Sequence, residues 1–293
     1  MVLLRSLFAL FVLLSTVSAQ ASSDQAYWSP FLGARQPAAE ELPRLLTELN
    51  TLLASPDPQL RDDVAYTLFA KWIGRDRILP VAERKQLLAT WLGNLQIETG
   101  AAADGALRRS FSALCLGLLV MEDNLEPWLT PPDFERIMLG ALAYLRSETD
   151  VRGLDPKVGW VHTVAHTADL LKFLARSPHL KAADQAAMLT AIVEKLANTD
   201  AALVFGEDER LARAVLSLAA RTDLDQAAFR HFVATLWPRL PAGPPTVVDL
   251  AHDHNRRHLL QSLHALLLVD PRDLPSLGEA REIVLVQMKK RLR

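Results

Sequence analysis

At intervals of 46, 53, 48 and 47 residues the chain returns to a polar side chain that leads a line of i, i+4, i+7 positions. The lines are Asp63/Thr67/Ala70, Arg109/Ala113/Leu116, His162/His166/Asp169, Arg210/Ala214/Ser217 and Arg257/Gln261/His264. Side chains so spaced share one face of an α-helix. A return every ~40–47 residues is the period of HEAT and armadillo units, helical hairpins that cannot bury an apolar face without a neighbour. The period predicts an all-α chain of stacked antiparallel helical hairpins, a HEAT/armadillo-like α-solenoid. Every second helix would line a shared inner face, with the polar leaders along one edge.

Composition agrees, with only 12 Gly in 293 residues and no sustained apolar/polar alternation of the kind a half-exposed sheet needs. The 17 Pro fall mostly between periodic segments, as at Pro80, Pro131, Pro178, Pro238 and Pro241. Helices are expected at 38–54, 58–73, 80–96, 105–120, 132–147, 159–176, 182–198, 207–220, 224–236, 255–268 and 277–291. Caps or acidic first turns are expected at Asp57-Pro58, Asp104, Pro132-Asp133 and Glu207-Asp208. Gly153 reads as a tight turn. Gly159-Trp160 reads as a helix start, with Trp160 packed on the apolar side away from the histidines.

Residues 1–21 combine a basic start, an apolar run from Leu7 to Leu14 and small residues to Ala21. They are expected to be a secretory signal peptide cleaved after Ala19 or Ala21, followed by an N-terminal segment at 22–37 and a single α-solenoid domain at 38–293. Such a chain is exported, periplasmic in a Gram-negative cell and otherwise secreted, and keeps no stable membrane anchor after cleavage. A net charge of −2 argues against nucleic acid as the main partner. Cys115 is the only cysteine, so no internal disulfide forms, and its apolar surroundings predict a buried thiol.

Several motifs stand along the chain: Leu60-Arg61-Asp62-Asp63-Val64-Ala65-Tyr66, Arg109-Ser110-Phe111, Glu148-Thr149-Asp150-Val151-Arg152-Gly153, Gly159-Trp160-Val161-His162 through Ala165-His166-Thr167-Ala168-Asp169-Leu170-Leu171, and Gly206-Glu207-Asp208-Glu209-Arg210-Leu211-Ala212. With these motifs, spread over roughly residues 40–240, the chain resembles an uncharacterised bacterial family, domain of unknown function 2785. The resemblance implies an all-helical fold and no particular activity.

The His162/His166/Asp169 line stands out, because it alone joins two imidazoles and a carboxylate. On one reading these three bind a divalent transition metal, with Glu148 or Asp150 as a fourth ligand or base, in a metal-dependent hydrolase or lyase. Thr163 occupies the place of the glutamate in a His-Glu-x-x-His protease motif. On a second reading they are a structural polar ladder, with Asp169 paired to Arg109, Arg152 or Arg210. On a third, those arginines hold a small anionic ligand, a peptide or a protein partner on a polar ridge, and the chain is a binding module. Candidate ligand-binding residues are therefore Arg109, Glu148, Asp150, Arg152, His162, His166, Asp169 and Arg210. The surplus length between Arg109 and His162 falls in the 147–158 connection, since insertions in repeats map to loops. His252, His254 and His258 read as a solvated loop and helix start. No Gly-rich phosphate loop, Gly-x-Ser-x-Gly elbow or paired-Cys motif is present.

Overall fold

The computed structural model describes residues 24–96, 105–237 and 243–291. The expected signal peptide, the Asp104 cap, Pro238 and Pro241 lie outside these residues. The described chain is helical apart from one two-stranded hairpin. Its helices are α1 (Gln25–Leu32), α2 (Leu42–Leu52), α3 (a continuous rod of Gln59–Tyr66, Thr67–Phe69 and Ala70–Arg75), α4 (Val81–Asn94), α5 (Gly105–Leu125) and α6 (Pro131–Ser147). Strands β1 (Leu154–Asp155) and β2 (Gly159–Trp160) follow, then α7 (Thr163–Leu174), α8 (Ala182–Ala197), α9 (Glu207–Ala219), α10 (Gln226–Thr235), α11 (Val247–Val269) and α12 (Pro275–Arg291).

The helices pack in two rows. In one, α3 lies against α5, α5 against α7, α7 against α9 and α9 against α11, which are the helices carrying the five periodic lines. In the other, α6 meets α8, α8 meets α10 and α10 meets α12. Apolar side chains from Trp28 to Val284 form one buried cluster between the rows. Cys115 belongs to it, and burial pushes its thiol pKa well up. Among the described residues no helix is long and apolar enough to cross a membrane.

Four local departures from expectation have identifiable causes. Helix α1 was not expected, yet Asp24 caps it by accepting Ala26 N–H at 2.9 Å, and Trp28 and Phe31 bury its inner face. Helix α11 begins eight residues before the expected start at 255, because Thr246 and Asp249 form a reciprocal capping box. That start places His252 and His254 inside the same helix as His258 rather than in a loop before it. Helix α3 takes π geometry on both sides of Thr67–Phe69, as when Thr67 N–H reaches back to Asp62 O. Bonding over five residues widens each turn and rotates the face away from a 3.6-residue register. Asp63 consequently points to solvent and Arg61 is buried. Finally, α7 starts at Thr163 and not at 159, because the chain forms β1 and β2 first.

Candidate functional site

The site is the connection between α6 and α7 together with the inner helices it covers. Glu148 leaves the end of α6 in extended backbone and turns its carboxylate onto Arg109 of α5. The pair is bidentate, Nε donating to Oε2 at 2.6 Å and Nη2 to Oε1 at 3.1 Å, and both side chains are buried. Lys195 of α8 donates to the Glu148 carbonyl, and Asp150 N–H donates to Oε1 at 2.9 Å. Asp150 in turn holds Arg152, which also reaches Asp155 at 2.6 Å. Thr163 Oγ1 closes the segment by donating to Asp150 O.

The hairpin pairs Leu154 with Trp160 and Asp155 with Gly159. Its turn is closed by Asp155 Oδ1, which accepts Lys157 N–H at 2.8 Å. Gly159 sits at φ +74°, where a side chain would be strained. Arg61, fully buried on α3, staples the hairpin from below. Its Nη2 donates to Val158 O at 2.8 Å and to Trp160 O at 3.4 Å, while Nη1 holds Ser55 O at 2.9 Å. Asp62 supplies the counter-charge at 3.0 Å, and the guanidinium lies 5.0 Å from the Phe111 ring centre. Gly153 lies at a bend of the chain, and it serves packing as well. A Cβ there would fall 2.2 Å from the Phe205 ring, so glycine permits the α8–α9 connection to lie against the hairpin.

Beyond the hairpin, Val161 N–H donates to Gly153 O at 2.9 Å and His162 N–H to Arg152 O at 3.0 Å. His162 then caps α7 in the left-handed region, at φ 50° and ψ 38°. Its ring stacks under Trp160 at 4.3 Å and 25° and meets His166 edge to face at 5.7 Å. Trp160 is thus 41% exposed and covers the histidines, contrary to the expectation that it packs opposite them. Phe205, 44% exposed, stands edge-on to Trp160 at 6.1 Å. Ser110 Oγ donates to Val161 O at 2.5 Å and lies 2.8 Å from His166 Nδ1. With the single hydroxyl proton on the carbonyl, His166 Nδ1 is the donor to Ser110.

Burial drives both imidazoles toward the neutral form. It holds His162 down to about 4, with Arg210 adding to the effect and the Phe205 backbone and Asp169 opposing it. His166 lies well below the usual range, through burial first and then the fields of His162, Arg210 and Arg61. Tyr66 is pushed up to about 12, chiefly by burial.

As pH falls from 6.5 toward 4, the unfolded chain takes up a proton at these positions and the folded chain does not, so stability falls through that window. Asparagine adopts left-handed backbone readily. His162→Asn is therefore expected to keep the cap and flatten the slope of stability against pH between 6.5 and 4, as read from urea unfolding at several pH values. An unchanged slope would remove His162 from the account.

The metal reading does not match the geometry. His162 lies outside the helix that was to align it with His166 and Asp169. Asp169 gives its oxygens to Lys172, at 2.8 Å, and to Arg210. Glu148 and Asp150 are taken by Arg109 and Arg152. Among the described residues no group of three His, Cys, Asp or Glu side chains is placed to hold a metal ion. The ladder reading holds at this rung, where Asp169 pairs with Arg210 and His166 bonds Ser110, but the five lines do not form one continuous ladder. Arg210 reaches across to Asp169 on the next helix, but Arg257 pairs with Asp253 on its own helix and Asp63 is exposed.

Residues singled out in the sequence thus fall into two groups. Arg109, Glu148, Asp150 and Arg152 shape the connection, whereas His162, His166, Asp169 and Arg210 lie on and beside the start of α7. Spacing alone does not point to Arg61, Ser110 and Phe205 as members of the site, and a helical register through residue 160 puts Trp160 on the wrong face. Arg61 lies in the Leu60–Tyr66 motif, but its burial depends on the π register of α3.

No curated protein and no solved structure matches the chain. A model of the family described as "Protein of unknown function (DUF2785)" matches residues 95–265, which hold α5, the α6–α7 connection and most of α11. That match covers more than half of the chain, and the chain belongs to this family.

Proposed function

We propose that the chain is an exported α-solenoid of HEAT-like hairpins, a single domain from residue 38 onward, that acts as a binding module. The two helical rows and the return period support the solenoid reading, and the composition of residues 1–21 supports export. The binding surface is the Trp160/Phe205 pair with the exposed Leu154 and Val204, beside Arg152, which is paired to Asp150 and Asp155, and Arg210, which is paired to Asp169. The observation that carries this reading is the exposure of two large aromatic rings side by side, Trp160 on the connection held from beneath by the buried Arg61 and the buried Arg109–Glu148 pair and Phe205 on the α8–α9 connection that lies against it. Rigidly mounted aromatics beside arginine are the composition of binding hot spots, since they lose little conformational freedom on contact. The occupant that fits is a peptide segment with an apolar or aromatic side chain next to a carboxylate.

Selection of random displayed peptides on the immobilised protein tests the proposal. Enrichment of acidic-aromatic sequences is expected, with loss of that enrichment in Trp160→Ala and Arg210→Ala at little change in melting temperature. Selection no better than background, or the same sequences enriched on Trp160→Ala, would count against it.

A further inference from the structure

At the far end of α7, about 18 Å from its first residue at 1.5 Å per residue, lies an open cleft with a volume of about 730 Å³. Arg176, Ser217, Arg221, Thr222 and Arg272 contribute to its lining, together with the carboxylate of Asp223. The three arginines have different commitments. Arg221 is fully engaged: it donates to the carbonyls of Ala175 and Ser177 at 3.0 and 2.9 Å and to Leu180 O at 3.3 Å, and it grips Asp223 with two bonds. These bonds cover the carbonyl end of α7, which would otherwise repel an anion. Arg272 is clamped to both oxygens of Asp270, at 2.9 and 2.6 Å.

Arg176 is the exception. Its Nε donates to Ser217 Oγ at 3.1 Å and its guanidinium lies 5.5 Å from the Phe173 ring centre. Among the described residues no carboxylate pairs with it and nothing accepts from its two terminal nitrogens. Three guanidiniums thus face two aspartates, and each aspartate spends both oxygens on its own arginine. Arg176 stands exposed at the cleft, and Arg272 is near enough for its charge to add to the partial desolvation that disfavours the protonated form of Arg176. Like charges held together without a counter-ion raise the free energy of the site, and a bound anion lowers it.

We propose that this cleft is a binding site for a small oxyanion, a carboxylate or a phosphate, received by the terminal nitrogens of Arg176 and completed by Arg272. A guanidinium offers two parallel donors in the spacing of such an anion's oxygens. The site lies at the opposite end of α7 from the Trp160/Phe205 surface and does not depend on it.

Titration calorimetry and thermal unfolding with inorganic phosphate and, separately, acetate test the assignment, with chloride at equal ionic strength as the control. One of the two oxyanions is expected to bind and raise the melting temperature where chloride does not, and the one that does identifies the ligand chemistry. In Arg176→Gln the affinity is expected to fall about tenfold or more, the equivalent of one charge-assisted hydrogen bond. Arg213→Gln, which removes an exposed cation paired to Glu209, should leave binding intact. Absence of binding by both anions at millimolar concentration overturns the proposal. Equal binding by wild type and Arg176→Gln overturns it too.

Discussion

Glu148→Ala is expected to lower the free energy of unfolding by about 3–5 kcal/mol, the usual loss when one member of a buried ion pair is removed. The side chains of Arg109 and Glu148 are only 3% and 2% exposed, so water cannot replace the lost carboxylate. The substitution also frees Asp150 N–H, which donates to the same carboxylate. Chemical denaturation checks the size of the effect. Replacing both partners, in Arg109→Met with Glu148→Leu, should recover part of the loss, because no buried guanidinium then lacks the Glu148 carboxylate. A fall below about 1 kcal/mol for Glu148→Ala would place the pair among exposed ion pairs and contradict its structural role.

Arg61→Met comes next in expected effect. Methionine fills much of the arginine's volume but supplies no donor, leaving the carbonyls of Ser55 and Val158 without the bonds they now receive. At about 1–3 kcal/mol for each buried acceptor left unpaired, the loss should be on the order of 2 kcal/mol or more. Part of it is offset because the charge of Arg61 no longer has to be buried, and Asp62 is exposed enough to regain water. The more specific consequence is local. Without its staple the hairpin loosens, and the fluorescence of Trp160 should shift toward that of a solvated indole. Unchanged stability together with unchanged emission would show that the hairpin holds itself.

Much of this arrangement is legible in the sequence, and the limits of that legibility are physical. The period of the polar leaders identified the row formed by α3, α5, α7, α9 and α11, because helix hairpins of similar length repeat along the chain whatever their side chains do. The surplus length between Arg109 and His162 identified the connection that departs from the repeat, and Glu148, Asp150 and Arg152 lie in it. Partners were harder. Whether Arg109 meets Asp169 or Glu148 depends on the direction in which the chain leaves α6, and no local rule fixes that. The start of α7 was misplaced because Gly159-Trp160-Val161-His162 is compatible with helix on spacing alone. Pairing with Leu154-Asp155 and the bonds from Arg61 draw it into a strand. Arg61 itself was hidden twice, once by the rule that charged residues sit outside and once by the π register of α3.

We infer that the α6–α7 connection is a preformed, rigid mount for Trp160. Native-state hydrogen exchange at the amides of Val161 and His162 tests it most directly, since these donate to Gly153 O and Arg152 O at 2.9 and 3.0 Å. If the mount is rigid, both amides exchange about as slowly as those in the core of α5, and Arg61→Met speeds them more than it speeds the α5 amides. Exchange at these two positions near the rate of an unprotected chain in the wild-type protein would contradict the account.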